Sequence, residues 1–109
     1  MSTPDTILAE IRATRLELLR GPESLEVAEL EAERLRFAAQ LAFDKILMQV
    51  DGSIPEKQAQ ARAGCVVEQD AAFVAQAVLS RVKAKIRVLE AALVSLQSEL
   101  KITAREAGL

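Results

Sequence analysis

The chain has 109 residues, a formal net charge of −2 and a hydrophobic content of 50%, which predicts one folded domain over residues 1–109. It has no histidine and one cysteine, Cys65, which excludes Ser–His and Cys–His catalytic pairs and an intramolecular disulfide. It also lacks a Gly-rich phosphate loop and a cluster with metal-ligand spacing. We therefore expect a protein that is not an enzyme and that needs no cofactor or metal.

Three helices are predicted in chain order, at about residues 4–20, 24–50 and 55–106. Thr3 is the expected N-cap of the first helix, Pro4 its first residue, and the Gly21–Pro22 pair its end. The DGSIP turn, residues 51–55, separates the second helix from the third, and Ser53 is placed to cap the third. The sequence leaves open whether the third helix is continuous or is interrupted at Gly64 or Asp70, within residues 64–70, because the residues that precede this interval offer only alanine for an apolar face.

Two apolar stripes run along the second helix, separated by about 140° around its axis. One stripe is rich in alanine, which allows close helix packing, and a helix with two stripes is expected to be packed from two sides. The first stripe consists of Ala28, Ala32, Leu35, Ala39, Ala42 and Ile46, and the second of Val27, Leu30, Phe37 and Leu41.

The C-terminal helix carries an apolar seam with heptad spacing, which is typical of coiled coils. One small chain cannot cover helices of this length, so we predict self-association through the seam. The predicted fold is an all-α helical hairpin with long amphipathic helices, assembling as an oligomeric helical bundle or ring. The predicted oligomerisation residues are Leu79, Val82, Ile86, Leu89, Leu93, Leu96 and Leu100.

The first residues, MSTPDTILAEI, lack the basic region and apolar run of a signal peptide. The sequence also contains no stretch of about 18 apolar residues, the length needed for a membrane span. We therefore expect a soluble cytoplasmic protein with no membrane partner.

Basic residues are concentrated in the stretch RVKAKIR, residues 81–87, although residues 1–54 hold 10 acidic and only 6 basic side chains. Lys83, Arg87, Lys101 and Arg105 fall within about 40° of one another on a helix, a line that could contact successive phosphates. Arg81 and Lys85 lie on the other flank of the seam. The alternative is that these residues only flank a packed seam and pair with acids of the second helix.

Arg34 lies on the second apolar stripe, between Leu30 and Phe37, and Lys45 follows on the same face. A buried charge is costly unless it is paired. Arg34 is therefore expected either to form a salt bridge or to face an anionic ligand, and the sequence leaves both open.

Two stretches resemble the UvsY-type recombination mediators of tailed phages. The stretch AELEAERLRFAAQLAFDKILMQVDGSIPEK is similar to a basic helix of that family, with large residues at the spacing of Phe37, Phe43, Leu47 and Val50 before a Gly turn like Gly52. The stretch DAAFVAQAVLSRVKAKIRVLEAALVSLQSELK is similar to the family's C-terminal helix, with an acidic start near Asp70, a Lys-rich middle and a Leu-rich end.

The resemblance implies a helical subunit of a ring-like homo-oligomer that binds single-stranded DNA, displaces single-strand-binding protein and helps to load a recombinase, without catalysis. Its place would be the cytoplasm of a phage-infected host. A different class stays open, namely a coiled-coil structural, adaptor or inhibitor protein that binds only protein. The candidate DNA-binding residues are Arg34, Lys45, Arg81, Lys83, Lys85, Arg87, Lys101 and Arg105.

Overall fold

The computed structural model describes residues 3–108 and contains four α-helices. They are α1 (Pro4–Leu19), α2 (Gly21–Gln49), α3 (Ile54–Gly64) and α4 (Val66–Glu106). No β-strand occurs between residues 3 and 108, and the predicted all-α helical hairpin is confirmed. Assembly into an oligomer stays a prediction.

The helix junctions differ in detail from the predicted ones. The Gly21–Pro22 pair begins α2, and only Arg20 separates this helix from α1. Proline fits in the first turn of a helix because the backbone N–H that it lacks has no partner there. Cys65 alone separates α3 from α4, which places the break within the interval 64–70. Both junctions retain a helix-like hydrogen bond: Ser24 N donates to Arg20 O, and Gln69 N donates to Cys65 O, each at 3.0 Å.

Two helices begin with a side-chain cap at the residue that the sequence indicates. The hydroxyl of Thr3 accepts a hydrogen bond from Thr6 N at 3.2 Å. The hydroxyl of Ser53 accepts one from Glu56 N at 3.3 Å. Each cap satisfies a backbone N–H that has no acceptor within its own helix, and proline follows at the start of both helices.

Gly52, in the connection between α2 and α3, has a φ of +130°. A Cβ atom added at this position would lie 2.6 Å from Oε2 of Glu56. Because L-residues rarely adopt this φ, we expect Gly52→Ala to lower the free energy of unfolding by about 1–3 kcal/mol. Thermal unfolding followed by circular dichroism measures the change, and an unaltered midpoint would contradict strain at this turn.

The helices pack in two units, and the unit formed by Glu26–Ser80 is itself a helical hairpin. Here α2 runs antiparallel to α3 and to the first part of α4: Gly64 lies against Ile46, and Leu35 shares a groove with Val74 and Val78. Small side chains dominate the core, which allows the helices to approach closely. The buried residues of this unit are Ala28, Ala32, Ala39, Ala61, Cys65, Ala75 and Leu79, so the alanine-rich stripe of α2 is the one that the chain covers.

The second unit combines residues 1–25 with residues 81–109. Ile7 and Ile11 of α1 are buried, and Gly21 lies against Ile86 of α4, which a Cβ at Gly21 would approach to 3.4 Å. Leu8 and Ile11 lie beside Leu100.

The seam of α4 is therefore packed, in part, within its own chain. Leu79 is buried in the first unit, and the other six predicted seam residues are half-buried. Their role in oligomerisation stays a prediction, but α1 already occupies a portion of the surface that the sequence assigns to it. Among residues 3–108, no helix is long and apolar enough to cross a membrane.

Candidate nucleic-acid interface

The eight candidate DNA-binding residues fall into two groups in the structure. Six lie on α4 in the unit that contains the chain ends, whereas Arg34 and Lys45 lie on α2 in the hairpin unit. All eight are exposed. The two groups belong to different packing units, so we treat them as two separate surfaces.

The line formed by Lys83, Arg87, Lys101 and Arg105 is exposed along its length, with Val94 between its two pairs. At 1.5 Å per residue it extends about 33 Å along α4. One acid, Glu90, falls within it. A helix of this length holds the four charges in a fixed row, which suits a polyanion better than a small anionic ligand.

The alternative interpretation is that the basic residues of α4 pair with acids of α2. The structure does not show such pairs among the residues that it describes. Of the six basic residues of α4, Lys85 alone forms an ion pair within residues 3–108, with its Nζ 3.9 Å from Oε2 of Glu17. That acid lies on α1, and both side chains are largely exposed, so the pair contributes little to stability. The remaining five have no acidic partner in the described part of the chain.

The two packing units differ in charge. Residues 1–25 and 81–109 hold 9 basic and 7 acidic side chains, a net of +2, whereas residues 26–80 hold 5 and 9, a net of −4. The basic line of α4 thus belongs to the positive unit. Net charge alone would therefore favour an anionic polymer at that unit over the other.

Arg34 is not buried within its own chain. Its side chain is 66% exposed, and its Nη2 lies 2.7 Å from Oε1 of Glu31, while its Nε donates to Oε2 at 3.0 Å. The hydrogen bond from Arg34 lowers the pKa of Glu31, and the same hydrogen bond raises the pKa of Arg34. The salt-bridge alternative is therefore the one observed, within a single helix, and such an exposed pair is weak.

Arg34 is exposed because the second apolar stripe of α2 is not covered by the chain. The exposed fractions are 63% for Leu30, 69% for Phe37, 58% for Leu41 and 86% for Met48. Sequence reasoning missed Met48 as a member of this stripe, although its position seven residues after Leu41 was a usable signal. The structure thus leaves one side of α2 without a partner.

Together these features describe a small all-α protein with two open surfaces, one basic and one apolar. Among residues 3–108, no group of three or more Cys, Asp or Glu side chains is placed to hold a metal ion. No protein-family profile, no curated protein and no solved structure matches this chain.

Proposed function

We propose that this protein is a non-enzymatic recombination mediator of the UvsY type, which binds single-stranded DNA and helps to load a recombinase in place of single-strand-binding protein. One observation carries the proposal: α4 presents six exposed basic side chains, and five of them have no acidic partner within residues 3–108. The resemblance of two helical stretches to that family supports it. Its site of action would be the cytoplasm of the host cell.

The chemistry of α4 fits phosphate contact better than base recognition. The chain has no Trp or Tyr and three Phe, so base stacking can supply little affinity. Lys and Arg bind phosphates irrespective of sequence and release counterions when they do so. A single row of four charges gives weak binding, and a homo-oligomer would hold one strand at several such rows and gain affinity through multivalency.

We expect the wild-type protein to bind a fluorescently labelled single-stranded oligonucleotide at low salt, with little dependence on base sequence. The slope of log K against log salt should approach about −0.7 for each phosphate that the protein neutralises. Fluorescence anisotropy at several salt concentrations measures both properties. Absence of binding at low salt would refute the DNA-binding role.

A protein of a different class, an adaptor or inhibitor that binds only protein, is the second candidate. The exposed apolar side chains favour it, because large apolar patches on a soluble protein mark interaction sites. The same anisotropy titration separates the two, since an adaptor would leave the oligonucleotide free.

A further inference from the structure

The exposed side of α2 has a regular pattern that the DNA-binding proposal does not use. Its side chains are spaced alternately three and four residues apart, which is the spacing of a coiled-coil seam. We call this surface the outer face of α2; it consists of Val27, Leu30, Arg34, Phe37, Leu41, Asp44 and Met48. The five apolar members are between 58% and 86% exposed.

The outer face is complementary to itself when two copies of α2 lie antiparallel with their Ala39 residues at the same height. Leu30 and Met48 are each nine residues from that point, and Phe37 and Leu41 are each two residues from it. Arg34 and Asp44 are each five residues from it and carry opposite charges. Two antiparallel copies of α2 would thus place Leu30 opposite Met48, Phe37 opposite Leu41, and Arg34 opposite Asp44.

We propose that the outer face of α2 is the interface of an antiparallel, two-fold symmetric homodimer of this chain. Such an interface is isologous, so each of the three contacts occurs twice. A parallel, in-register pair would instead bring Arg34 against Arg34 and Asp44 against Asp44, which repel each other. The charges therefore select the antiparallel arrangement and its register.

Both charged groups form hydrogen bonds to a neighbouring side chain of α2. Arg34 is held by Glu31 through two hydrogen bonds, and Asp44 accepts a hydrogen bond from Gln40 at 2.9 Å. Lys45 lies on the same flank of the face as Glu31, so the antiparallel pairing also brings Lys45 near Glu31 of the second copy. A polar pair inside an apolar seam contributes more to register than to affinity, as polar seam residues do in coiled coils.

The outer face is long enough for an extended contact between two helices. The contact from Leu30 to Met48 would be about 27 Å long.

A charge exchange tests the arrangement. Arg34→Asp places two carboxylates opposite each other, and Asp44→Arg places two guanidinium groups opposite each other. We expect each single variant to weaken the dimer at least about 100-fold in Kd, and the double variant Arg34→Asp/Asp44→Arg to bind within about tenfold of the wild type. Analytical ultracentrifugation measures Kd, and circular dichroism monitors helical content.

Phe37→Asp and its matched control Phe73→Asp test the location of the interface. Both phenylalanines are exposed and belong to the hairpin unit, but Phe73 lies on α4 and not on α2. We expect Phe37→Asp to yield monomers and Phe73→Asp to leave the dimer unchanged. A monomeric wild type, equal effects of the two substitutions, or a double charge variant that fails to recover would each overturn the proposal. None of these readouts involves DNA, so the outcome is independent of the proposed function.

Discussion

Replacing Lys83, Arg87, Lys101 and Arg105 together with glutamine is expected to remove most of the affinity for single-stranded DNA. Each phosphate that the variant no longer neutralises should reduce the steepness of the log K–log salt dependence by about 0.7, so four such phosphates flatten it by about 3. At low salt the four substitutions together should weaken binding roughly a thousandfold. The four side chains are exposed and form no ion pair within residues 3–108, so helical content should not change.

A control variant removes four positive charges elsewhere, at Arg12, Arg36, Lys57 and Arg62. If net charge alone governs binding, this variant should lose as much affinity as the first. If α4 binds the strand directly, the control should lose far less. Fluorescence anisotropy at matched salt compares the two variants, and an equal decrease in affinity would exclude α4 as a specific binding surface.

Ile7→Asp is expected to disrupt the packing of α1 against α4. The side chain of Ile7 is fully buried, with 0% exposure, and the aspartate would have to be buried without a partner. The cost, about 4 kcal/mol or more, is a large part of the total stability of a small protein. Urea unfolding followed by circular dichroism measures the decrease in the free energy of unfolding.

Leu19→Asp on the same helix is the matched control, because Leu19 is 75% exposed. The change in charge is the same and the change in helix propensity is similar, but the aspartate at position 19 is exposed to solvent and is not forced into the core. We expect a destabilisation below about 1 kcal/mol for this variant. A similar destabilisation by both substitutions would mean that α1 does not form the core packing that the structure shows.

The all-α architecture and the character of individual helix faces could be predicted from the sequence. Alanine, leucine and glutamate in long runs favour helices, and the periodicity of apolar residues identifies which side chains share a face. The alanine stripe with Ala28 and Ala39 is buried as its composition suggests, and the caps at Thr3 and Ser53 use the expected hydroxyls. These features depend on residues close in sequence.

The candidate site was predictable in part. The exposure of Lys83 and Arg87 follows from their place beside the seam, since a helix buries one side and solvates the other. The environment of Arg34 could not be predicted from the sequence. Its position between Leu30 and Phe37 indicates an apolar stripe but does not show whether another helix covers that stripe. The pair with Glu31 had a local signal in the i, i+3 spacing.

The sequence by itself determined that α2 has two apolar stripes and α4 a seam; the tertiary structure decided which of these surfaces the chain covers. The seam of α4 packs near Ile86 against the start of α2, the alanine stripe packs within the hairpin, and Phe37 stays in solvent. Periodicity reports the direction of a side chain from its own helix axis, whereas burial depends on a second helix that is distant in sequence. For that reason the open face of α2 became visible only once the helices were placed together.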